Sequence, residues 1–263
     1  MKILLLLIIP LFLCSKVHYA KVEPYQTFTL KSAVSAQVKS AKVELEGKKV
    51  SSSTIIKLDD KLDITKLASS RASIKLVGQM IETNRLIFEA LNESVQRQEE
   101  YYYRISNMVS ASKTQRDNAF YSYTTSKTQS LSTKEKIDSL KKQKLDLEYE
   151  VARLKDSISK KSIKIKNKFL HKLLVNVGDY VNMGTPLAEL KDLSSGKLIL
   201  FLEVNELKGI KKKKIYIDAK ATNYKISKIW SVTDEKYISS YRTEILIKNP
   251  KNNFSKLLKV EFK

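Results

Sequence analysis

The middle of this sequence lacks the residues that break helices. No proline occurs between Pro24 and Pro186, and no glycine occurs between Gly78 and Gly178. Proline lacks the backbone donor that a helix needs, and glycine lowers helix stability because it is flexible. A stretch of this length without either residue predicts long helices.

Apolar residues recur at coiled-coil spacing within this stretch. Every seventh residue from Leu67 is apolar or aromatic: Leu67, Ile74, Ile81, Phe88, Val95, Tyr102 and Val109. A second series follows three- and four-residue spacing: Ile137, Leu140, Lys144, Leu147, Val151, Leu154 and Ile158. Because sustained heptads are typical of coiled coils, we predict two antiparallel helical arms at residues 60–160, joined at Ser110-Ala111-Ser112. A single long helix and a parallel dimer are the alternatives.

The amino terminus resembles an export signal. Met1-Lys2 is basic, and Ile3 to Leu13 is an almost unbroken apolar run that is too short to span a bilayer. We predict a signal peptide at residues 1–20, cleaved after Ala20, and a periplasmic protein. Retention as an anchor and lipidation at Cys14 are the alternatives.

Composition excludes several functional classes. The chain is 42% hydrophobic, which is enough for a packed core, and Cys14 is its only cysteine. After cleavage one histidine, His171, would remain, and it lies in an alternating strand-like run. A disulfide framework, a multi-histidine zinc site and a histidine-centred triad are therefore not expected. We predict no enzyme activity, no cofactor and no metal.

The charge is strongly positive, with 49 Lys and Arg against 28 Asp and Glu, a net charge of +21. The lysines are spread along the chain, and only Lys211–Lys214 forms a block, which we interpret as a loop between strands. We therefore predict no nucleic-acid partner, since a basic stripe with interleaved aromatics is missing. A nucleic-acid or lipid-surface binder driven by charge remains a separate hypothesis.

The two flanks of the helical stretch resemble each other. Shifting the sequence by 131 residues aligns Gly47 with Gly178, and it also pairs Val34–Ile165, Val38–Phe169, Val43–Leu174, Val50–Val181 and Ile56–Leu187. Each flank reads as a strand, a glycine turn and a second strand, and the glycines suit positive φ. Neither flank could bury its apolar face alone, so we predict that the two pack together as a β-sandwich.

At these residues the sequence resembles the periplasmic adaptor, or membrane fusion, proteins (HlyD-like). Leu45-Glu46-Gly47-Lys48-Lys49-Val50 is similar to the first half of that family's biotinyl-lipoyl-like domain. The second half of that domain is similar to residues 175–181 and to the following Gly184-Thr185-Pro186-Leu187. Gly47, Gly178 and Gly184 would be its structural turns. Lys57 and Lys161 do not fit a lipoyl attachment site, because the helices replace the turn that carries the modified lysine.

The resemblance implies an α+β fold: a long antiparallel α-helical coiled-coil hairpin inserted into a biotinyl-lipoyl-like β-sandwich, followed by a β-barrel domain. The implied boundaries are 21–59 and 161–195 for the two lipoyl-like halves, 60–160 for the hairpin and 196–263 for the barrel. Five strand-like runs follow Gly196, and a short helix is expected after Val204. We interpret Trp230 as a core residue.

The hairpin tip is the candidate site. In many family members an Arg, a Leu and a Ser near the tip contact an outer-membrane channel. This chain offers Arg104, Met108 at the Leu spacing, and then Ser112, Lys113 and Arg116. An exposed apolar residue with Arg and hydroxyl donors could seat between channel helices. The alternative interpretation is that these are ordinary polar turn residues.

The resemblance implies an adaptor that bridges an inner-membrane transporter, of RND or ABC type, to an outer-membrane channel. It also implies self-assembly into a ring, by family resemblance a hexamer. The competing hypothesis is a non-transport envelope scaffold or coiled-coil tether. The β half-motifs favour the adaptor, because a plain tether does not need them.

Overall fold

A computed structural model describes residues 16–233, 236–248, 250 and 254–263. The chain divides by packing into two compact units. One contains Val38–Ile56, Ile163–Lys263 and the described part of Met1–Ser32, and the other contains Ala33–Gln37 and Lys57–Ser162. The predicted α+β class is confirmed, with two long helices and a large antiparallel sheet.

Two long helices dominate the second unit. Helix α1 spans Lys61–Ser106 and α2 spans Lys113–Lys160, so each is roughly 70 Å long at 1.5 Å per residue. They lie side by side in opposite directions, as shown by cross-helix side-chain hydrogen bonds at three heights, Ser157–Asp63, Ser130–Asn92 and Tyr123–Glu99. We call this element the helical pair.

The facing surfaces of the two helices follow the predicted spacing, but the burial differs from the expectation. The heptad series from Leu67 to Tyr102 is half-buried, whereas the intervening positions Ser70, Val77 and Asn84 are buried. Val109 lies beyond the end of α1 and is 98% exposed, so it does not belong to the interface. Two of these three buried positions of α1 carry polar side chains, Ser70 and Asn84.

Eleven strands and a short helix make up the rest of the described chain. The strands are β1 Val17–Lys31, β2 Ala36–Ala41, β3 Lys48–Leu58, β4 Ser162–Leu173, β5 Tyr180–Val181, β6 Pro186–Glu203, β7 Ile215–Ile217, β8 Lys220–Ala221, β9 Ile226–Thr233, β10 Ser240–Lys248 and β11 Leu257–Phe262. Helix α3 spans Val204–Leu207 directly after β6. The strand order is β5-β2-β3-β4-β6-β1-β11-β7-β8, and β10 pairs with β6 and β9.

The chain segments before and after the helical pair make equivalent backbone hydrogen bonds. The offset between these bonds differs by one residue from the predicted offset of 131. The Lys42 amide donates to the Ile55 carbonyl, and the Leu174 amide donates to the Leu187 carbonyl, a shift of 132 residues. Val38 therefore corresponds to the buried Leu170, and the predicted partner Phe169 is only half-buried. Side chains alternate along a strand, so an offset of one residue exchanges the inner and outer faces.

Strand β1 begins earlier than the sequence analysis placed it. Val17–Lys21 pair with β11, and Val22–Lys31 pair with β6. The predicted cut after Ala20 falls inside this strand and would remove four of the five residues paired with β11. We therefore correct the start of the N-terminal strand from residue 21 to Val17. The alternative lipidation site Cys14 lies outside the described residues.

Strand β6 also crosses a predicted boundary. It continues through Gly196, where the lipoyl-like half was expected to end and the barrel to begin, and both parts belong to one packing unit. Alternate residues of β6, β10 and β11 form a common core: Leu198, Leu200, Leu202, Ile245, Ile247, Leu258, Val260 and Phe262. Ala20 and Val22 of β1 complete this core, which explains why the strand must be long.

Trp230 is not a core residue, contrary to the prediction. Its ring is half-buried, and the Lys228 Nζ and Arg242 Cζ atoms lie 4.2 and 4.9 Å from its centroid. The cations are attracted to the ring faces, so the indole serves as a cation–π partner at the surface.

Candidate partner-binding site

The link between α1 and α2 consists of residues 107–112, and we call it the tip. Its backbone is folded back by two hydrogen bonds, from the Met108 amide to the Ile105 carbonyl and from the Ala111 amide to the Met108 carbonyl. Met108 is 47% exposed and Val109 is 98% exposed. The tip thus presents two apolar side chains to solvent on a compact turn.

Ser112 caps the start of α2. Its hydroxyl oxygen accepts a hydrogen bond from the Gln115 amide at 3.2 Å, and the Gln115 side chain accepts one from the Ser112 amide at 2.8 Å. This reciprocal capping box satisfies two amides that have no partner within the helix. Ser112 therefore has a structural role that the turn interpretation anticipated.

Arg116 also stabilises the turn. Its Nη2 atom donates a hydrogen bond to the Met108 carbonyl at 3.1 Å, across the tip. This bond orients Met108. By contrast, Lys113 is exposed, and the Arg104 Cζ atom lies 5.8 Å from the centroid of the neighbouring Tyr101 ring. Of the five predicted tip residues, Arg104, Met108 and Lys113 are exposed, while Ser112 and Arg116 make hydrogen bonds that shape the turn.

Aromatic residues cluster on both helices next to the tip. The rings of Tyr102 and Tyr123 stack across the pair at 5.9 Å with an interplanar angle of 4°, and Phe120 contacts Tyr102 at 5.7 Å. The Tyr123 hydroxyl donates to Glu99 at 2.7 Å and accepts from Lys127 at 3.2 Å. The stacked rings therefore join the two helices next to the tip. The heptad series contains Tyr102, but it does not point to Phe120 or Tyr123 on the other helix.

Three other tyrosines of the same region face outward. Tyr101, Tyr103 and Tyr121 are 42%, 57% and 66% exposed. The Tyr103 ring still contacts Tyr102 at 5.5 Å, and the Tyr121 ring contacts Phe120 at 6.1 Å.

The predicted glycine turns lie in the unit that contains most of the strands, which we call the β unit (Val38–Ile56, Ile163–Lys263 and the described part of Met1–Ser32). Gly47, Gly178 and Gly184 have φ angles of 70°, 97° and 87°, which only glycine adopts readily. The Gly47 amide donates to the Leu170 carbonyl and the Gly178 amide to the Val38 carbonyl, each at 2.9 Å. Each turn therefore binds a strand of the opposite flank and fixes the two halves to each other.

The two lysines considered for lipoyl attachment form ion pairs at the base of the helical pair. Lys57 lies 3.5 Å from Asp60, and Lys161 lies 2.9 Å from Asp63. Burial raises the pKa of Asp63, but hydrogen bonds from Lys161 and Ser157 outweigh it and hold that pKa below its usual value. Both ammonium groups are thus already bound to carboxylates.

Two kinds of site do not appear in the described part of the chain. No three His, Cys, Asp or Glu side chains there are grouped closely enough to hold a metal ion. None of its helices has an apolar stretch long enough to cross a lipid bilayer.

Solved structures with a similar fold span nearly all of the chain. The crystal structure of MacA from Actinobacillus actinomycetemcomitans matches with a TM-score of 0.73 at 15% identity, covering 95% of this chain and 78% of MacA. The membrane fusion protein Spr0693 from Streptococcus pneumoniae R6 matches with a TM-score of 0.64 at 12% identity, covering 95% of this chain and 99% of Spr0693.

A third match is an engineered chimera of MacA that carries the α-hairpin domain of MexA from Pseudomonas aeruginosa. Its TM-score is 0.60 at 14% identity, and the match covers 95% of this chain and 81% of the chimera. No family model matches the sequence, and no curated protein matches it. At these identities the likeness establishes the fold, and it agrees with the resemblance that the sequence motifs indicated.

Proposed function

We propose that this chain, which has the fold of membrane fusion proteins, is the periplasmic adaptor subunit of a tripartite efflux or transport system. In this proposal the helical pair is the coiled-coil hairpin of the family, inserted between the halves of a lipoyl-like β-sandwich and followed by a β-barrel. One of the similar structures, Spr0693, is described as a membrane fusion protein, which supports a role without catalysis.

The observation that carries the proposal is the exposed apolar tip at the end of the helical pair. Met108 and Val109 face solvent on a turn that Ser112 and Arg116 hold in shape. A solvent-exposed apolar tip costs free energy in an isolated protein and is favourable when a partner covers it. We assign this contact to an outer-membrane channel, with Arg104 and Lys113 as donors to channel carbonyls or carboxylates.

The remaining partners follow from the family resemblance. The β unit would contact an inner-membrane transporter of the RND or ABC type, and copies of the chain would assemble into a ring, as a hexamer. The chain would reside in the periplasm after export by its apolar leader. Movement of substrate would draw its energy from the transporter, and the adaptor would connect, seal and transmit conformational change.

Cross-linking from the tip tests this function directly. Val109→Cys is preferable to Ser112→Cys, because Val109 has the most exposed side chain of the tip and makes no capping bond. Cells of the natural host would be treated with a short thiol-to-amine cross-linker and the adducts identified by mass spectrometry. We expect recovery of an outer-membrane channel protein.

Two controls make the result specific. Glu135→Cys places the thiol on the exposed surface of α2 far from the tip, and the parent chain carries only Cys14. The channel adduct should be absent from both. Recovery of self-adducts alone from Val109→Cys, at normal expression, would contradict channel docking and would favour the envelope scaffold.

A further inference from the structure

A lysine-rich loop follows α3 in the β unit. Lys208 and the block Lys211–Lys214 are all exposed, which places five ammonium groups within seven residues. No carboxylate of the described residues forms an ion pair with any of these five lysines. Like charges at this density repel one another, so the loop is electrostatically unfavourable until an anionic surface neutralises it.

The backbone of this loop is well fixed. The Lys212 amide donates to the Gly209 carbonyl at 2.9 Å, and Lys214 exchanges two backbone hydrogen bonds with Lys263 at 2.7 and 3.0 Å. Ile210, at the start of the loop, is 2% exposed and packs into the core shared by β6, β10 and β11. Because the turn is anchored on both sides, the lysines cannot disperse as they would on a flexible tail.

The nearest acidic residues are already paired. Glu203 and Glu206 form ion pairs with Lys16, at 2.8 and 3.6 Å, and Glu206 also lies 2.8 Å from His18. Glu261 is bound by Lys259 and Lys263, and these bonds lower its pKa to about 2. The acidic side chains therefore neutralise other cations and leave the charge of the loop uncompensated.

The ion pairs with Glu203 and Glu206 place Lys16, the first described residue, beside this loop. Lys16 touches both ends of α3, and α3 leads directly into Lys208. The apolar run Ile3 to Leu13 ends three residues before Lys16, a distance of about 10 Å in extended chain. A run retained in a bilayer would bring the lysine loop within reach of the lipid headgroups.

We propose that the loop Lys208–Lys214 is a membrane-surface site that binds the anionic headgroups of phospholipids. A single short apolar anchor gives marginal membrane binding, and a basic cluster beside it supplies the second attraction that stable attachment needs. Each lysine near an anionic bilayer strengthens the attraction, and the effect weakens with salt. The proposal does not depend on the adaptor function.

Vesicle flotation tests the site. The full chain, as purified from its host, would be mixed with vesicles of phosphatidylcholine alone or of phosphatidylcholine with phosphatidylglycerol. The variant K211Q/K212Q/K213Q/K214Q should bind the phosphatidylglycerol vesicles at least about tenfold more weakly than the parent chain, with a smaller salt dependence. Both chains should bind the neutral vesicles equally.

A charge-matched control separates the loop from the overall charge. K134Q/K136Q/K142Q/K155Q removes four exposed lysines of α2, so both quadruple variants lower the net charge from +21 to +17. The control should bind the phosphatidylglycerol vesicles like the parent. Should the loop variant fail to fold, as judged by thermal melting, the milder K212Q/K213Q provides the same comparison with a smaller expected loss.

Two results would overturn the proposal. One is equal vesicle binding by the loop variant and the parent, and the other is an equal loss in both quadruple variants. Neither of these outcomes bears on the tip cross-link, so the two hypotheses fail independently.

Discussion

The Ser130 hydroxyl of α2 donates a hydrogen bond to the side-chain oxygen of Asn92 on α1, with 2.6 Å between the two oxygens. Ser130 is buried, so this bond lies inside the interface between the two helices. A buried polar pair of this kind is satisfied in only one register, because sliding a helix by one turn would separate the two groups. The bond therefore fixes which residues of the two helices face each other along their whole length.

Replacing Ser130 tests this function of the bond. Ser130→Ala leaves the Asn92 oxygen without its donor, and we expect the free energy of unfolding to fall by about 1 kcal/mol. Urea unfolding followed by circular dichroism measures the change. Ser132→Ala, at an exposed position of the same helix, should have little effect. Additive effects of Ser130→Ala and Asn92→Ala in the double variant would show that the two residues do not interact.

The ion pair between Asp192 and Lys168 leads us to predict that the stability of the protein depends on pH. The Lys168 ammonium, together with Ser194, lowers the pKa of Asp192 from 3.8 to about 2. Because the pKa is lower in the folded state, the ion pair stabilises the protein fully above the unfolded pKa and is lost as pH falls through about 2. Lys168 also lies over the Phe28 ring, so the pair connects β4, β6 and β1.

The measurement is the stability of Asp192→Asn between about pH 5 and pH 2. The variant should be less stable than the parent at the upper end, and the difference should shrink toward the lower end. Asp146→Asn, on the exposed surface of α2, is the matched control and should track the parent. A difference that stayed constant over this range would show that the ion pair is not its source.

Two glycines predict opposite effects of the same substitution. A Cβ atom on Gly196 would lie 2.9 Å from Val22 Cγ1 and 3.1 Å from Pro250 Cγ, whereas a Cβ on Gly78 in α1 would meet nothing within 4 Å. Gly196→Ala should therefore lower the melting temperature, because β1 must shift away from β6. Gly78→Ala should raise stability by about 0.5–1 kcal/mol through better helix propensity. Thermal unfolding of both variants checks the signs, and a stabilising Gly196→Ala would contradict the close packing.

The start of β1 predicts where the folded chain can be cut. A chain beginning at Lys21 lacks four of the five residues paired with β11, and it also lacks the buried Ala20 and the His18–Glu206 contact. We expect it to be roughly 2 kcal/mol less stable than a chain beginning at Lys16, or about 5 °C lower in melting temperature. Calorimetry of the two chains makes the comparison. Equal melting temperatures would show that residues 17–20 do not stabilise the folded chain.

The sequence alone determined the elements of this protein, because they depend on patterns within a few residues. Heptad spacing from Leu67 and from Ile137 indicated the two helices, and alternating runs after Gly196 indicated the strands. Positive φ at Gly47 and Gly178 could also be predicted from the sequence, because each glycine lies in a turn and has no side chain.

The tertiary structure decided what depends on residues far apart in the chain. The first strand begins at Val17 because β11, more than 200 residues later, offers it a pairing edge. The strands of the two flanks align by 132 residues because their amides bind equivalent carbonyls, whereas the turn glycines Gly47 and Gly178 keep an offset of 131. Local periodicity specifies which face of an element is apolar, but not which distant residue covers that face. For the same reason, only the fold brought the lysine loop next to Lys16.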